Sequence, residues 1–416
     1  MADVELADVE YRKVQFSEAI DYLKGKLPEA SVAWDDLAGP VHAKVFTVAG
    51  ATSADLARDI QGALVDALRN GKTITDFRKQ FDQAVQQHGW SYNGSRGWRT
   101  DVIFNANMRS AHMAGRWTQI QANKARRPFL QYRTAGDMRV RPAHRQWNGL
   151  IYPVDDGFWQ THYPPCGWNC RCTVRAYGQA DLDEKNLRVS PPHEDRMRDV
   201  VIGGQLVDRV PVGIDPGWDH NVGESWINPE MALGAKLARL PRALQGLLVD
   251  KTITPAFQEA ITERWKAFRG GVKSTGKPQG LAQVVGYLDS ATLDGLASAA
   301  PDLQLESTMV GVFDNRTAHL EGDHKAAANP LQVWPSDWID DLPDALRNYR
   351  AVLWDTQAKT LVVVPMGSFN ERIPKIAIRP NVPTKFGQTL SVVSLGTTQA
   401  RNLTESRYVL LVGSLD

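Results

Sequence analysis

The sequence predicts an α+β multidomain protein: a mainly helical N-terminal domain, an irregular Cys-containing loop region, and C-terminal helices packed on an antiparallel sheet. Three observations carry this. Apolar residues recur at three- and four-residue spacing through roughly the first 125 positions. Five short β-branched runs crowd into 350–412. Between these textures, GGVKSTGKPQG at 270–280 is glycine-rich and polar, with no apolar period, as a linker is. At 416 residues the chain exceeds what one core usually serves. The expected division is 1–180 as the helical domain with its Cys-containing loop, 181–269 as a bracing region, 270–280 as the linker, and 281–416 as an α+β domain.

Phe16, Ile20 and Leu23 set a first helix ahead of Pro28. Thr52-x-x-Asp55 opens a second, whose hydroxyl caps free amides while the acid favours the positive helix end; Leu56, Ile60, Leu64 and Leu68 form its apolar edge and Gly71 ends it. Thr73-x-x-Asp76 repeats the grammar for a helix carrying Phe77, Phe81 and Val85, closed near Gly89. A longer helix is expected from Trp98 to Lys124, with Asn105, Arg109, His112 and Arg116 on one side. That side reads as a solvated face, or alternatively as one that packs on the Cys-rich loop. From Ala180 to Gly270 the pattern is turn-rich, with helices expected at Leu237–Leu248 and Phe257–Phe268. After the linker, helices are expected around Val284–Ala299 and Trp338–Tyr349. The runs RAVLWD, TLVVVP, PKIAIR, LSVVSL and RYVLLV are the strands, the first two joined by a short hairpin at 356–359. Helices followed by strands argue for α+β with an antiparallel sheet.

Composition excludes several classes. A formal net charge of +1 gives no global electrostatic reason to bind nucleic acid or membrane. No apolar run approaches the ~20 residues that span a bilayer, and MADVELADVEYRKVQF lacks the regions of a signal peptide. Synthesis and residence in the cytosol are the expectation.

The stretch Asp137–Thr173 holds all three cysteines, Cys166, Cys170 and Cys172, with His144 and His162 upstream and Pro164-Pro165 before the first thiol. Three cysteines within seven positions are a poor disulfide framework. The preferred reading is a metal-free loop held by hydrogen bonds and aromatic packing, with Asp137 paired to an arginine; Asp137, Arg141, His144, His162, Cys170 and Cys172 are its structural residues. No cofactor is expected on this reading. Zinc is the alternative, its candidate ligands being His144, His162, Cys166, Cys170 and Cys172, since thiolate and imidazole are the ligands zinc prefers. Cys170 and Cys172 are two apart, so an extended segment points both the same way. The spacing C-x3-C-x-C lacks paired C-x2-C knuckles. Asp137, Arg139, Arg141 and His144 make a poor catalytic set, with no nucleophile or cofactor signature beside them.

His319 and His324 are the only histidines after residue 280, and Lys325 is adjacent. A metal-independent ribonuclease needs a base, an acid and a cation to stabilise the phosphorane. His319, His324, Lys325, Lys375 and Arg379 are the candidates; exposed loop and strand-end residues with no such role are the competing reading.

The blocks YRTAGDMRVRPAHRQWNG and DDGFWQTHYPPCGWNCRCTV resemble the F-like minor head proteins of phage Mu. The resemblance extends through WDDLAGPVHAKVFTVAG, GKTITDFRKQFD, HGWSYNGSRGWRTDVIFNANMRSAHMAGR and GIDPGWDHN, covering roughly residues 15–225 in the family's order of motifs. Relatives often carry another residue where Cys166 stands, which leaves Cys170, Cys172, His144, His162 and Asp137 as the family-like positions. The resemblance implies a phage or prophage virion component acting in head morphogenesis near the portal. Its implied partners are portal, capsid and scaffold proteins, with phage DNA a further candidate and no membrane. The part after residue 280 resembles phage-borne domains grouped with barnase, EndoU, colicin and RelE nucleases, which implies RNA as a substrate and a toxin-like effector as the alternative function.

Overall fold

The computed structural model describes residues 16–415 apart from 34, 276–280, 321–333, 335, 369–370 and 385–386. The chain folds into two compact units that interleave along the sequence. Unit one takes residues up to Ala33, then Phe46–Asp156 and Tyr163–Pro191; unit two takes Trp34–Val45, Gly157–His162 and Pro192 onward.

Unit one begins with four helices: α1 (Ser17–Lys24), α2 (Ala54–Asn70), α3 (Ile74–His88) and α4 (Arg96–Asn123). Ser53, not Thr52, caps α2, its hydroxyl accepting from Leu56 N–H at 3.2 Å. At α3 the Asp76 carboxylate accepts from Thr73 N–H at 3.1 Å. Both helices end at glycines in the left-handed region, Gly71 and Gly89, where a Cβ would be strained. Leu56, Ile60 and Leu64 of α2 and Phe77 and Phe81 of α3 are buried, as their spacing requires. Helix α1 crosses α4 at Gly115, where a side chain would strike the Ala19 backbone nitrogen at 2.6 Å.

A small antiparallel sheet follows, which the sequence pattern did not announce. Strand β1 (Phe129–Arg133) lies between β2 (Ile151–Pro153) and β3 (Thr173–Tyr177). A six-residue helix, α5 (Pro142–Trp147), sits in the connection from β1 to β2, with its proline in the first turn.

Unit two contains a short helix, α6 (Phe158–His162), and a hairpin of β4 (Met197–Ile202) and β5 (Gln205–Pro211) in a region that reads as irregular from sequence. Gly203 and Gly204, with φ of 61° and 82°, form its two-residue turn, which demands positive φ at both positions. Helices α7 (Val222–Ile227), α8 (Pro229–Leu237), α9 (Arg242–Thr252) and α10 (Pro255–Thr275) come next. Residues 270–275, expected in the linker, are the last turns of α10; 276–280 lie outside the described residues.

The segment expected as a single helix at Val284–Ala299 is instead strand β6 (Ala282–Tyr287) and helix α11 (Ser290–Ala299). Asp289 separates them by accepting from Thr292 N–H at 2.8 Å, so the cap, not the apolar run, sets the helix start. Strand β7 (Met309–Phe313) and helix α12 (Asp314–Leu320) follow. Trp338–Tyr349 resolves into α13 (Ser336–Asp340), α14 (Leu342–Arg347) and the start of a strand. That strand is β8 (Tyr349–Asp355), followed by β9 (Thr360–Pro365), β10 (Ile373–Thr384), β11 (Gly387–Thr398) and β12 (Tyr408–Gly413).

The seven-stranded sheet runs β12-β8-β9-β10-β11-β7-β6. It is mixed, not purely antiparallel: β11 pairs parallel to β7, Leu390 opposite Val310. One face buries Val352, Trp354, Leu361, Val363, Ile376 and Ile378 against Trp265, Leu293 and Leu296. The other buries Ala351, Leu353, Val362, Val364 and Ile373 with Leu403. Both faces are covered, which is why these strands read as continuous apolar runs instead of alternating ones.

Candidate functional site

In unit one the Cys-containing loop closes back on the small sheet. Helix α5 presents His144, 2% exposed, stacked on Trp147 at 4.8 Å; Trp147 in turn meets the edge of Tyr132 from β1. Cys172 stands one residue before β3, and Cys170 is held by a turn in which its N–H donates to Gly167 O at 3.1 Å. Both thiols converge on His144 Nδ1, Cys170 Sγ at 3.7 Å and Cys172 Sγ at 3.5 Å. The Cys172 thiol donating to Cys170 holds Cys170 well below the ordinary thiol range, with His144 assisting, and holds Cys172 above it. The half-buried Arg109 guanidinium on α4 lies within electrostatic reach of both sulfurs.

Polar contacts fasten the rest of the loop. Arg171 grips Asp137 with two hydrogen bonds of 2.6 Å, and this guanidinium keeps the Asp137 carboxyl below its usual range. Arg139 N–H also donates to Asp137, and Arg141 donates to Trp168 O at 2.9 Å. Buried Tyr163 donates to Met113 O on α4 at 2.9 Å and meets the edge of Trp117. The polar side of α4 therefore divides in its roles: Arg109 faces the thiols, whereas His112 is exposed and meets the edge of Phe16.

Cys166, fully buried, accepts from the Tyr132 hydroxyl at 3.9 Å and stands outside the mutual cluster of His144, Cys170 and Cys172. His162 belongs to a different group, in unit two. It stacks on Phe158 at 4.4 Å, and its Nε2 lies 3.5 Å from Asp195 Oδ1, which His193 Nε2 approaches to 3.3 Å. Burial raises the Asp195 carboxyl, against the pull of His193 and Arg239. His193 and Asp195 were not singled out from the sequence; they sit 31 and 33 positions from His162, at no spacing that signals a shared site. Among the described residues these two groups are the ones whose ligand atoms could hold a metal ion.

Of the residues read as catalytic, Lys375 and Arg379 share a face of β10 with Ile373, the face covered by Leu403. Helix α12 carries His319, and its Leu320 packs in the cluster on the opposite face. The His319 side chain, His324 and Lys325 lie outside the described residues.

Two further motifs of the sequence meet in unit two. In GIDPGWDHN, Asp219 is fully buried between Lys236 and Arg239, each at 2.8 Å, and Asn221 caps α7 by accepting from Gly223 and Glu224 N–H at 3.0 Å. A Cβ on Gly39, in the LAGPVHA segment, would strike Gly217 O at 2.4 Å and His220 Nδ1 at 2.6 Å. Glycine there is what lets the two segments touch.

The span with this geometry is also where known proteins align. Residues 58–175, from α2 into β3, match the family model described as Phage Mu protein F like protein. This span is similar to the Mu F-like family. The chain's relatives extend the likeness beyond that span. The putative capsid assembly protein F of Escherichia phage Mu is 27% identical over 379 residues, 83% of this chain and 83% of its own. The Mu-like prophage FluMu F protein of Haemophilus influenzae is 29% identical over 232 residues, 50% of this chain and 56% of its own. No solved structure matches the chain. The matched span thus contains the whole His144, Cys170 and Cys172 cluster, while the Asp219 and Gly39 contacts lie outside it.

Proposed function

We propose that this protein is a phage or prophage minor head protein that acts in head morphogenesis, contacting portal, capsid or scaffold proteins and remaining with the virion. The observation that carries the reading is the alignment with the capsid assembly protein of phage Mu over 83% of both chains, which takes in the residues of both compact units. The chemistry of the loop agrees with a structural role: its reactive groups are buried and spent on one another, as in a part built to hold shape. No helix among the described residues is long and apolar enough to cross a membrane, which suits assembly in the host cytoplasm.

The test is a phage lacking the gene, complemented in trans. The wild-type chain is expected to restore filled heads in electron micrographs, and immunogold or mass spectrometry of purified particles to find the protein in them. Normal heads without the protein would overturn the reading.

A ribonuclease in the part after residue 280 is the competing proposal, although Lys375 and Arg379 lie on the sheet face opposite the helix that carries His319. If it holds, the full chain cleaves RNA in the presence of chelator with a bell-shaped pH profile, and His319→Ala or His324→Ala lowers the rate ~100-fold or more. Head assembly by those two variants should be unchanged on either reading.

A further inference from the structure

We propose that His144, Cys170 and Cys172 bind a zinc ion, with water in the fourth position and Cys166 outside the coordination sphere. This goes beyond the assembly role and does not depend on it.

The geometry is the first argument. Zinc binds thiolate sulfur at about 2.3 Å and imidazole nitrogen at about 2.0 Å in a tetrahedron, which places sulfur and nitrogen roughly 3.5 Å apart. The two separations here are 3.5 and 3.7 Å. Hydrogen bonding accounts for them less well. A hydrogen-bonded chain from Cys172 through Cys170 to Nδ1 needs one contact with the single in-plane lone pair of the imidazole, and it gives no reason for Cys172 Sγ to be the nearer of the two sulfurs, at 3.5 Å against 3.7 Å. One ion at their centre satisfies all three donors together.

Charge is the second argument. All three groups are buried, where an isolated charge is costly. Two thiolates, each having released its proton to solvent, and a neutral imidazole make a neutral centre with Zn²⁺. The surroundings suit such a centre. The Tyr132 hydroxyl lies beside Cys172 and Cys166 and can donate to a ligating thiolate, and Trp147 fixes the imidazole plane. Such outer contacts orient the ligands of metal sites. The backbone supplies the rest: α5 fixes His144, and the extended approach to β3 turns Cys170 and Cys172 to one side.

The test uses the full-length protein purified without chelator. Elemental analysis is expected to find one zinc per chain, released stoichiometrically when the thiols are titrated with a mercurial. The Co²⁺-substituted protein should show thiolate-to-cobalt charge transfer with the intensity of two sulfurs. Cys170→Ser, Cys172→Ser and His144→Ala should each reduce bound zinc at least tenfold. His144→Cys should retain it, which separates lost ligation from lost folding. Cys166→Ser and His162→Ala should keep full stoichiometry. Wild-type protein free of zinc after reconstitution, with three thiols titrating alike, would overturn the site; loss of zinc in Cys166→Ser would overturn the three-ligand assignment.

Discussion

The loop of unit one and the seven-stranded sheet of unit two are fixed by opposite means. The sheet is held by apolar side chains on both faces, with Trp265, Val363, Ile376 and Ile378 at most 3% exposed on one of them. The segment between β1 and β3 has little regular pairing beyond β2 and is held by named polar contacts: Asp137 with Arg171, Arg141 with Trp168 O, Tyr163 with Met113 O, and the thiols with His144. Burial of apolar surface is non-directional and tolerates exchange among similar residues. A hydrogen-bonded loop depends on particular atoms, so it is specified more sharply and damaged more selectively.

The largest expected effect sharpens this contrast. Trp265 is fully buried against the sheet, and its indole N–H donates to Ile339 O at 2.6 Å. Trp265→Ala should cost about 3–5 kcal/mol through the cavity and the lost partner. Urea unfolding followed by hydrogen exchange should place the loss in unit two; equal loss of protection in α1–α4 would mean that the units unfold together and the contrast has no energetic meaning.

Next come two buried bases, one in each unit. Burial, opposed by Asp219, holds His220 at about 3. The unfolded chain therefore binds the extra proton between the ordinary histidine value and 3, and stability is full above about 6.5 and falls as pH is lowered through that window. Unit two should lose about 2 kcal/mol between roughly pH 6 and 4.5 by this group. An acid unfolding slope equally steep in His220→Gln would show that another group is responsible. Burial alone brings Lys26 in unit one down to about 7, its ammonium lying over the Tyr22 and Phe46 rings. Here the unfolded state holds the extra proton from about 7 up to about 10.5, so stability rises with pH, by about 1–2 kcal/mol between roughly pH 7.5 and 9. Melting of Lys26→Met should lose that rise.

The smallest effect tests the loop at its surface. Asp137→Asn removes the paired charge from Arg171, but both groups are solvent-exposed, where such pairs contribute little to stability. Global unfolding should barely move, while exchange of the amides between Asp137 and Val140 should speed up. A large drop in global stability would mean that the loop is a central strut of unit one.

Much of the secondary structure was legible because it follows local rules. Capping residues and glycine stops bound α2 and α3, and β-branched runs mark β8 to β12. The differences from that reading have separate local causes. At 282–299 a strand and a helix have the same apolar content over a short span, and the break depends on which backbone amide Asp289 caps. In the Gly-rich stretch at 270–275, composition argues for a linker, whereas α10 runs on to Thr275 through largely exposed residues. Strands β1, β2 and β3 are too short for periodicity to separate from loop.

The candidate site was legible as a set of residue types and not as a constellation. The sequence by itself determined that three cysteines and two histidines crowd into one irregular stretch, that an α+β chain follows, and that its motifs run in the order of the Mu F-like proteins. Only the tertiary structure decided which of them meet. It assembled His144 with Cys170 and Cys172, left Cys166 on Tyr132, and grouped His162 with His193 and Asp195 in the other unit. It also set Lys375 and Arg379 on the sheet face opposite the helix that carries His319. The reason is physical: composition fixes which chemistry is available, but which side chains share a site depends on backbone paths between distant segments, and those are set by burial and pairing that no local spacing encodes.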